Sequence, residues 1–221
     1  MNILTNTWLI TKSLYGILRL ARNPANTNYV FMIGNAQDRL ANELRLKGKI
    51  ADPYMYPNIK QLWQDNYHPA KYDLVALKLL PNNTLGFNYV QHMIDNNLSP
   101  DYYKDTVPVS PMHYLRLRIR KTHDIWHLIT GFDTSDIGEM GLQGFYMAQF
   151  TNGQSALILA GGIMKSIFSL KYNQLEQYLA SFIKGYNQGK LSKSLLPVKW
   201  EELWEEDIEQ VKKNYLTNSI P

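Results

Sequence analysis

Lys121-Thr-His-Asp-Ile-Trp-His-Leu-Ile-Thr-Gly-Phe-Asp-Thr-Ser-Asp-Ile-Gly-Glu-Met-Gly-Leu-Gln-Gly-Phe-Tyr-Met-Ala-Gln149 is the stretch on which the reading of the chain turns. It holds His123-Asp124-x-x-His127 and, after eleven intervening residues, Glu139. On a helix, side chains four residues apart stand one above the other on one face, so both imidazoles can reach one ion. Gly131-Phe-Asp-Thr-Ser135 predicts a break, and a second helix beginning between Asp133 and Asp136 brings Glu139 back towards the same point. Two neutral nitrogens with one or two carboxylates suit a divalent metal with open coordination positions. The spacing leaves plainer readings open. A histidine pair can sit on a helix without an ion, Glu139 can close an acidic capping box begun by Asp136, and Asp124 can be an ordinary solvated carboxylate.

Working outward, 221 residues fit one domain. The chain has no cysteine, which excludes a disulfide framework, a thiolate-held zinc and a thiol nucleophile. A net charge of +4 suits an anionic membrane surface or an acidic ligand. No nucleic-acid motif is present, so nucleic acid is not an expected partner.

Residues 3–22 read as an amphipathic helix carrying Ile10, Leu14, Ile17 and Leu18 inward, with Trp8, Lys12, Arg19 and Arg22 around them. Core packing is the expectation, and an interfacial helix resting on lipid is the alternative. The segment is neither a transmembrane span nor a signal peptide. A second amphipathic helix is expected from Asn35 to Lys47, and loops with a short helix at 58–65 follow. Residues 73–80 form a short helix, and Thr84 caps another that runs to about Asn96. On that helix His92 is a lone histidine, read as structural, while His68 and His113 receive no role.

Residues 97–111 are a connection. Leu115-Arg-Leu-Arg-Ile-Arg120 alternates like a strand, but it runs without a breaker from Met112 into the histidines and is read as helix. Its Arg116, Arg118, Arg120 and Lys121 are read as a solvated face, with contact to phosphate or lipid headgroups as the alternative. Gly138, Gly141 and Gly144 recur in a helix that must therefore meet a close neighbour or a ligand, since each glycine costs about 1 kcal/mol against alanine. Residues 155–170 are apolar on nearly every side and read as a buried helix. A helix at 173–187 ends near Gly185 or Gly189. A final helix from Lys199 to Leu216 is acidic early and basic late, which complements its dipole. The expectation is an all-α, single-domain helical assembly spanning 1–221.

Leu80-Pro-Asn-Asn-Thr-Leu-Gly86, His123-Asp-x-x-His127, Gly138-Glu139, Phe145, Gln149-x-x-x-Gly153 and Pro197-Val-Lys-Trp-Glu-Glu202 together resemble the Coq4 family of ubiquinone-biosynthesis proteins. The similarity runs from about residue 70 to near the C-terminus; the first seventy residues are less diagnostic, and residues 1–34 are an N-terminal helix and loop that could face a membrane. Two departures stand out: residues 107–122 are basic where many relatives carry acidic residues, and Gly161-Gly-Ile-Met-Lys165 matches the family's Gly-Pro-x-Arg-Leu only loosely.

The resemblance implies a metal site of His123, Asp124, His127 and Glu139. Zinc is the first choice for such donors, and magnesium, manganese or iron are compatible. It also implies a polyprenylated quinone precursor or other isoprenoid lipid in an apolar groove lined by 140–150 and 155–170. Asp124 or Glu139, where not a ligand, would move a proton in an oxidative decarboxylation of the ring. The implied setting is the cytoplasm, peripheral to a membrane surface, or the matrix face of the mitochondrial inner membrane in eukaryotic relatives. Other quinone-biosynthesis proteins and a second copy of the chain are the implied partners. The alternatives are a lipid-binding scaffold without turnover, a metallohydrolase, and a purely structural helical protein. Asp124 is one methylene shorter than the glutamate of H-E-x-x-H proteases, which ranks the hydrolase low.

Overall fold

The computed structural model describes residues 3–22, 28–29, 32–36, 39–40, 57–68, 72–99, 107–108, 111–150 and 153–216. The expected helix at 35–47 and the connection at 97–111 lie largely outside them. Among the described residues there is no β-strand, only an isolated bridge between Thr84 and Asp207, and the all-α expectation is met. The chain divides into two compact units, Met1–Asp52 with Ser135–Lys190, and Pro53–Thr134 with Leu191–Pro221.

The first unit contains α1 (Ile3–Arg22), α6 (Asp136–Gln149), α7 (Gly153–Phe168) and most of α8 (Tyr172–Leu191). α1 packs on α7 through Leu9, Ser13 and Ile17, which are buried. Ile17 also meets Ile33, Leu157, Ile158 and Met164. The expected inward set is therefore corrected: of its four residues only Ile17 is buried, and Ile10, Leu14 and Leu18 are about half exposed, beside Trp8 and Tyr15. Leu9, Ser13, Gly16 and Ile17 share one side of the helix, and Gly16 leaves room for the side chains of Ile33 and Met32.

α7 departs from its expectation too. Its buried positions are Ser155, Gly161, Gly162 and Ser166, whereas its larger apolar side chains are only partly covered and Phe168 is exposed. The fully buried positions are small, and Leu157, Ile158 and Met164 are only partly covered where they meet Ile17 and Ile33, so the helix is not enclosed all round.

The glycines of α6 face α8. A Cβ on Gly144 would lie 2.0 Å from the Phe182 carbonyl oxygen, and one on Gly185 would lie 1.8 Å from that of Gly141. This is main chain against main chain, which only glycine permits. It explains why α8 continues through Gly185 and Gly189 to Leu191 instead of stopping there: both are contact points, not helix ends. Ser181 Oγ donates to the Ile137 carbonyl at 2.7 Å, and Gln149 Nε2 donates to that of Gly189 at 2.8 Å, closing both ends of the seam.

The second unit contains α2 (Pro57–Gln64), α3 (Leu74–Lys78), α4 (Leu85–Asp95), α5 (Pro111–Thr130), a 3-10 turn (Trp200–Glu202) and α9 (Ile208–Tyr215). Asp73 caps α3 and Thr84 caps α4, as their side chains predict. The Leu80–Gly86 motif docks on the C-terminal segment. Leu85 N–H donates to the Glu206 carbonyl, Gly86 N–H to that of Trp204, and Ile208 N–H to that of Asn83. A Cβ on Gly86 would crowd the Trp204 carbonyl oxygen at 3.0 Å. These bonds satisfy amides that a helix start leaves open.

α5 is one continuous helix, and its buried stripe is Tyr114, Arg118, Thr122, Ile125, Trp126 and Ile129, spaced by three and four. Helical spacing thus prevails over the local alternation. It also removes Arg118 from the expected solvated face. Arg118 is 3% exposed and pairs with Glu201, while its second amino group donates to the Val198 carbonyl. Glu201 also accepts from Tyr72 Oη at 2.8 Å and Tyr67 Oη at 3.1 Å.

The expected final helix is correspondingly two pieces. The 3-10 turn aims Glu201 inward, and Asp207 caps α9 by accepting from the amides of Glu209 and Gln210.

Burial alone would raise the Glu201 carboxyl, but the Arg118 guanidinium overcomes it and holds the group below the usual carboxylate range. Its stabilisation is complete above about pH 4.3, the ordinary glutamate value, and is lost as pH falls through the lower folded value. Glu201→Gln leaves a buried cation unpaired and should cost about 3 kcal/mol near pH 7. The deficit should shrink in acid, where the parent also loses the pair; urea melts from pH 7 to pH 3 read both effects. Gly144→Ala should lower stability by about 1–3 kcal/mol or more, because the Phe182 carbonyl cannot yield to a methyl group.

Candidate metal centre

α5 ends at Thr130, and Gly131, at φ +77°, turns the chain in a conformation that side-chain-bearing residues rarely adopt. The turn places the Phe132 carbonyl oxygen 2.8 Å from His127 Nδ1. A carbonyl only accepts, so Nδ1 carries the proton and Nε2 keeps its lone pair. Metal-binding histidines are commonly oriented by such a bond.

His127 is buried, and its Nε2 lies 3.2 Å from His123 Nε2, with the rings nearly perpendicular at 88°. Two nitrogens each about 2.0–2.1 Å from a tetrahedral zinc stand about 3.3 Å apart, so the pair fits that span.

α6 begins at Asp136 under the Ser135 cap, whose side chain accepts from Gly138 N–H at 3.1 Å. The third helical position is thus Gly138, and the capping-box reading of Glu139 falls away. Lys165 Nζ and Tyr178 Oη hold Asp136 at 2.6 and 3.2 Å, which fixes the start of α6. His123, His127 and Glu139 form a group that could hold a metal ion: each offers one ligand atom, all within 4.8 Å of one another. Two imidazoles and one carboxylate match zinc, and also iron sites of the two-histidine, one-carboxylate kind; magnesium prefers an all-oxygen shell.

Asp124 stands outside that group. It is half-buried, and its charge acts on Tyr89 and His92 of α4. Burial, with Asp124 adding to it, pushes the Tyr89 hydroxyl well above its ordinary range.

His92 is more than the lone histidine that the sequence suggests. Its ring stacks on that of His127, with centroids 6.0 Å apart and planes 27° from parallel. Asn96, four residues on, donates from Nδ2 to the His92 carbonyl at 2.9 Å and approaches His92 Nδ1 at 3.3 Å. The one sequence signal was the spacing Tyr89, His92, Asn96, which puts three polar groups on one side of α4. His68 is exposed and stacks edgewise on Tyr114; neither it nor His113 belongs to the group.

Residues 62–221 match the sequence family described as Coenzyme Q (ubiquinone) biosynthesis protein Coq4. An Anopheles gambiae protein named ubiquinone biosynthesis protein COQ4 homolog, mitochondrial, is 31% identical over 144 residues, 64% of this chain and 50% of that protein. A Drosophila willistoni protein of the same name is 29% identical over 152 residues, 66% of this chain and 55% of its own length. The chain thus spans about half the length of the curated relatives it matches. A crystal structure from Nostoc punctiforme, of a chain assigned to ubiquinone biosynthesis, superposes with a TM-score of 0.75 at 30% identity, covering 95% of this chain and 98% of that one. The chain therefore belongs to the Coq4 family of ubiquinone-biosynthesis proteins.

Proposed function

We propose that the protein binds a polyprenylated hydroxybenzoate-type quinone precursor beside a divalent metal held by His123, His127 and Glu139, and supports replacement of the ring carboxyl by hydroxyl, the carboxyl leaving as carbon dioxide while dioxygen and an external two-electron reductant supply the hydroxyl oxygen and release water. The observation that carries this reading is the His127–His123 pair. One imidazole is locked by the Phe132 carbonyl with its Nε2 lone pair turned to the other at 3.2 Å. When bound, a metal there supplies Lewis acidity to a phenolate or carboxylate oxygen.

The chain's own groups have separate parts. His123 and His127 bind, the Phe132 carbonyl orients, and Asp124, outside the ligand group, takes or returns a proton at its carboxylate oxygen. A prenyl tail buried at about 25 cal/mol per Å² needs no polar anchor, and the partly covered apolar side chains of α7 are where it would lie.

α1 supports contact with a membrane surface. Trp8, Ile10, Leu14, Tyr15 and Leu18 are exposed, Lys12, Arg19 and Arg22 surround them, and residues 3–22 include no acidic side chain. No helix among the described residues is long and apolar enough to cross a bilayer.

A second reading, a lipid-binding scaffold without turnover, is favoured by one feature. Leu179, Ile183 and Tyr186 form an exposed stripe on α8 suited to another protein of the pathway or to a second copy of the chain.

Metal analysis of purified protein should return about one zinc or iron per chain, falling at least tenfold in His123→Ala and His127→Ala. Equal content in all three would end the metal reading. Aerobic incubation with ring-carboxyl-labelled prenylated hydroxybenzoate and a two-electron reductant separates the two functions: labelled carbon dioxide supports the enzyme, and stoichiometric binding without release supports the scaffold. Asp124→Asn should retain the metal and lose most of the release.

A further inference from the structure

His92 carries a hydrogen-bond donor that the fold leaves unused. Thr134 Oγ1 donates to Asn96 Oδ1 at 2.6 Å, which fixes the orientation of that amide. Asn96 Nδ2 is therefore the group facing His92, and an N–H can approach His92 Nδ1 at 3.3 Å only if that nitrogen holds a lone pair. The ring proton of neutral His92 then sits on Nε2. Nε2 is itself buried and has no hydrogen-bond partner among the described residues. A buried donor left unmade is costly, so such an atom calls for an acceptor. The ring that carries it lies against His127, whose Nε2 faces His123.

We infer that His92 Nε2–H is the donor that recognises an aromatic oxyanion, the carboxylate or phenolate oxygen of the ligand seated beside His123 and His127. The inference rests on the proposed metal-site reading and adds to it a fourth residue, one that touches the ligand and not the metal. A neutral donor suits this role because it selects an acceptor oxygen without adding a positive charge beside the ion.

The test uses full-length protein loaded with zinc and titrated calorimetrically with 3-geranyl-4-hydroxybenzoate, its methyl ester and its 4-methoxy ether. His92→Phe keeps a flat ring against His127 and removes the donor; His92→Gln keeps a donor. His92→Phe should bind zinc within twofold of the parent and the acid about tenfold or more weakly, as expected for a hydrogen bond to a charged oxygen. His92→Gln should recover most of the loss. If the deficit disappears with the ester, the carboxylate is the acceptor; if it disappears with the ether, the phenolate is. Equal affinity of parent and His92→Phe for the acid overturns the inference while leaving the metal site intact. Parallel loss of zinc and acid overturns it in favour of a packing role. Zinc uptake by the parent without acid binding also overturns it. A parent that takes up no zinc removes the metal reading itself.

Discussion

A buried guanidinium and a buried carboxylate, Arg118 and Glu201, govern how the second unit is put together. Removing two charges from water is costly, and the fold recovers that cost by surrounding both Glu201 oxygens and the two Arg118 terminal amino groups with partners, leaving Arg118 Nε without one among the described residues. Glu201 accepts from Arg118, Tyr67 and Tyr72, and Arg118 also reaches the Val198 carbonyl. The arrangement admits one register of α5 against the C-terminal segment, because a shift of one residue turns Arg118 about 100° away. His123 is five residues further along the same helix, about 7.5 Å. The charge pair and the histidine pair are thus set by one rigid element.

Elements with a local chemical signature could be read from the chain. Thr84 caps α4 because a short oxygen-bearing side chain meets open amides, and α6 starts within the interval 133–136 that the sequence marks. The unbroken run from Met112 to His127 is helical in spite of its alternating pattern. What escaped was decided by contacts distant in sequence. Nothing near Arg118 announces that Glu201, 83 positions later, will take it inward. Nothing in α8 reveals that Gly185 is covered by α6 and does not end a helix. The amphipathicity of α1 was visible, but two sides of that helix are apolar, and periodicity does not say which one packs.

The site shows the same division. Spacing was enough to bring His123 and His127 together, since helix geometry converts four residues into about one turn. The orienting groups were hidden because two of them are main-chain or amide atoms. The Phe132 carbonyl fixes a tautomer and Asn96 fixes a ring, and neither residue type attracts notice in a sequence. His92 looked solitary because its neighbours come from α5, 31 and 35 positions away. Family membership then supplied the pathway, which no distance in the molecule contains.

The seam between α6 and α8 has a mechanical corollary. Where two main chains touch, no layer of side chains remains to compress or change rotamer, so the helices cannot slide past each other without breaking contact altogether. Glu139 belongs to that doubled beam, two residues before Gly141. Its carboxylate can swing about its own bonds, but its backbone travels only when α8 travels. Stiffness of this kind makes the Glu139 main chain a fixed post within its own unit, leaving movement there to its side chain.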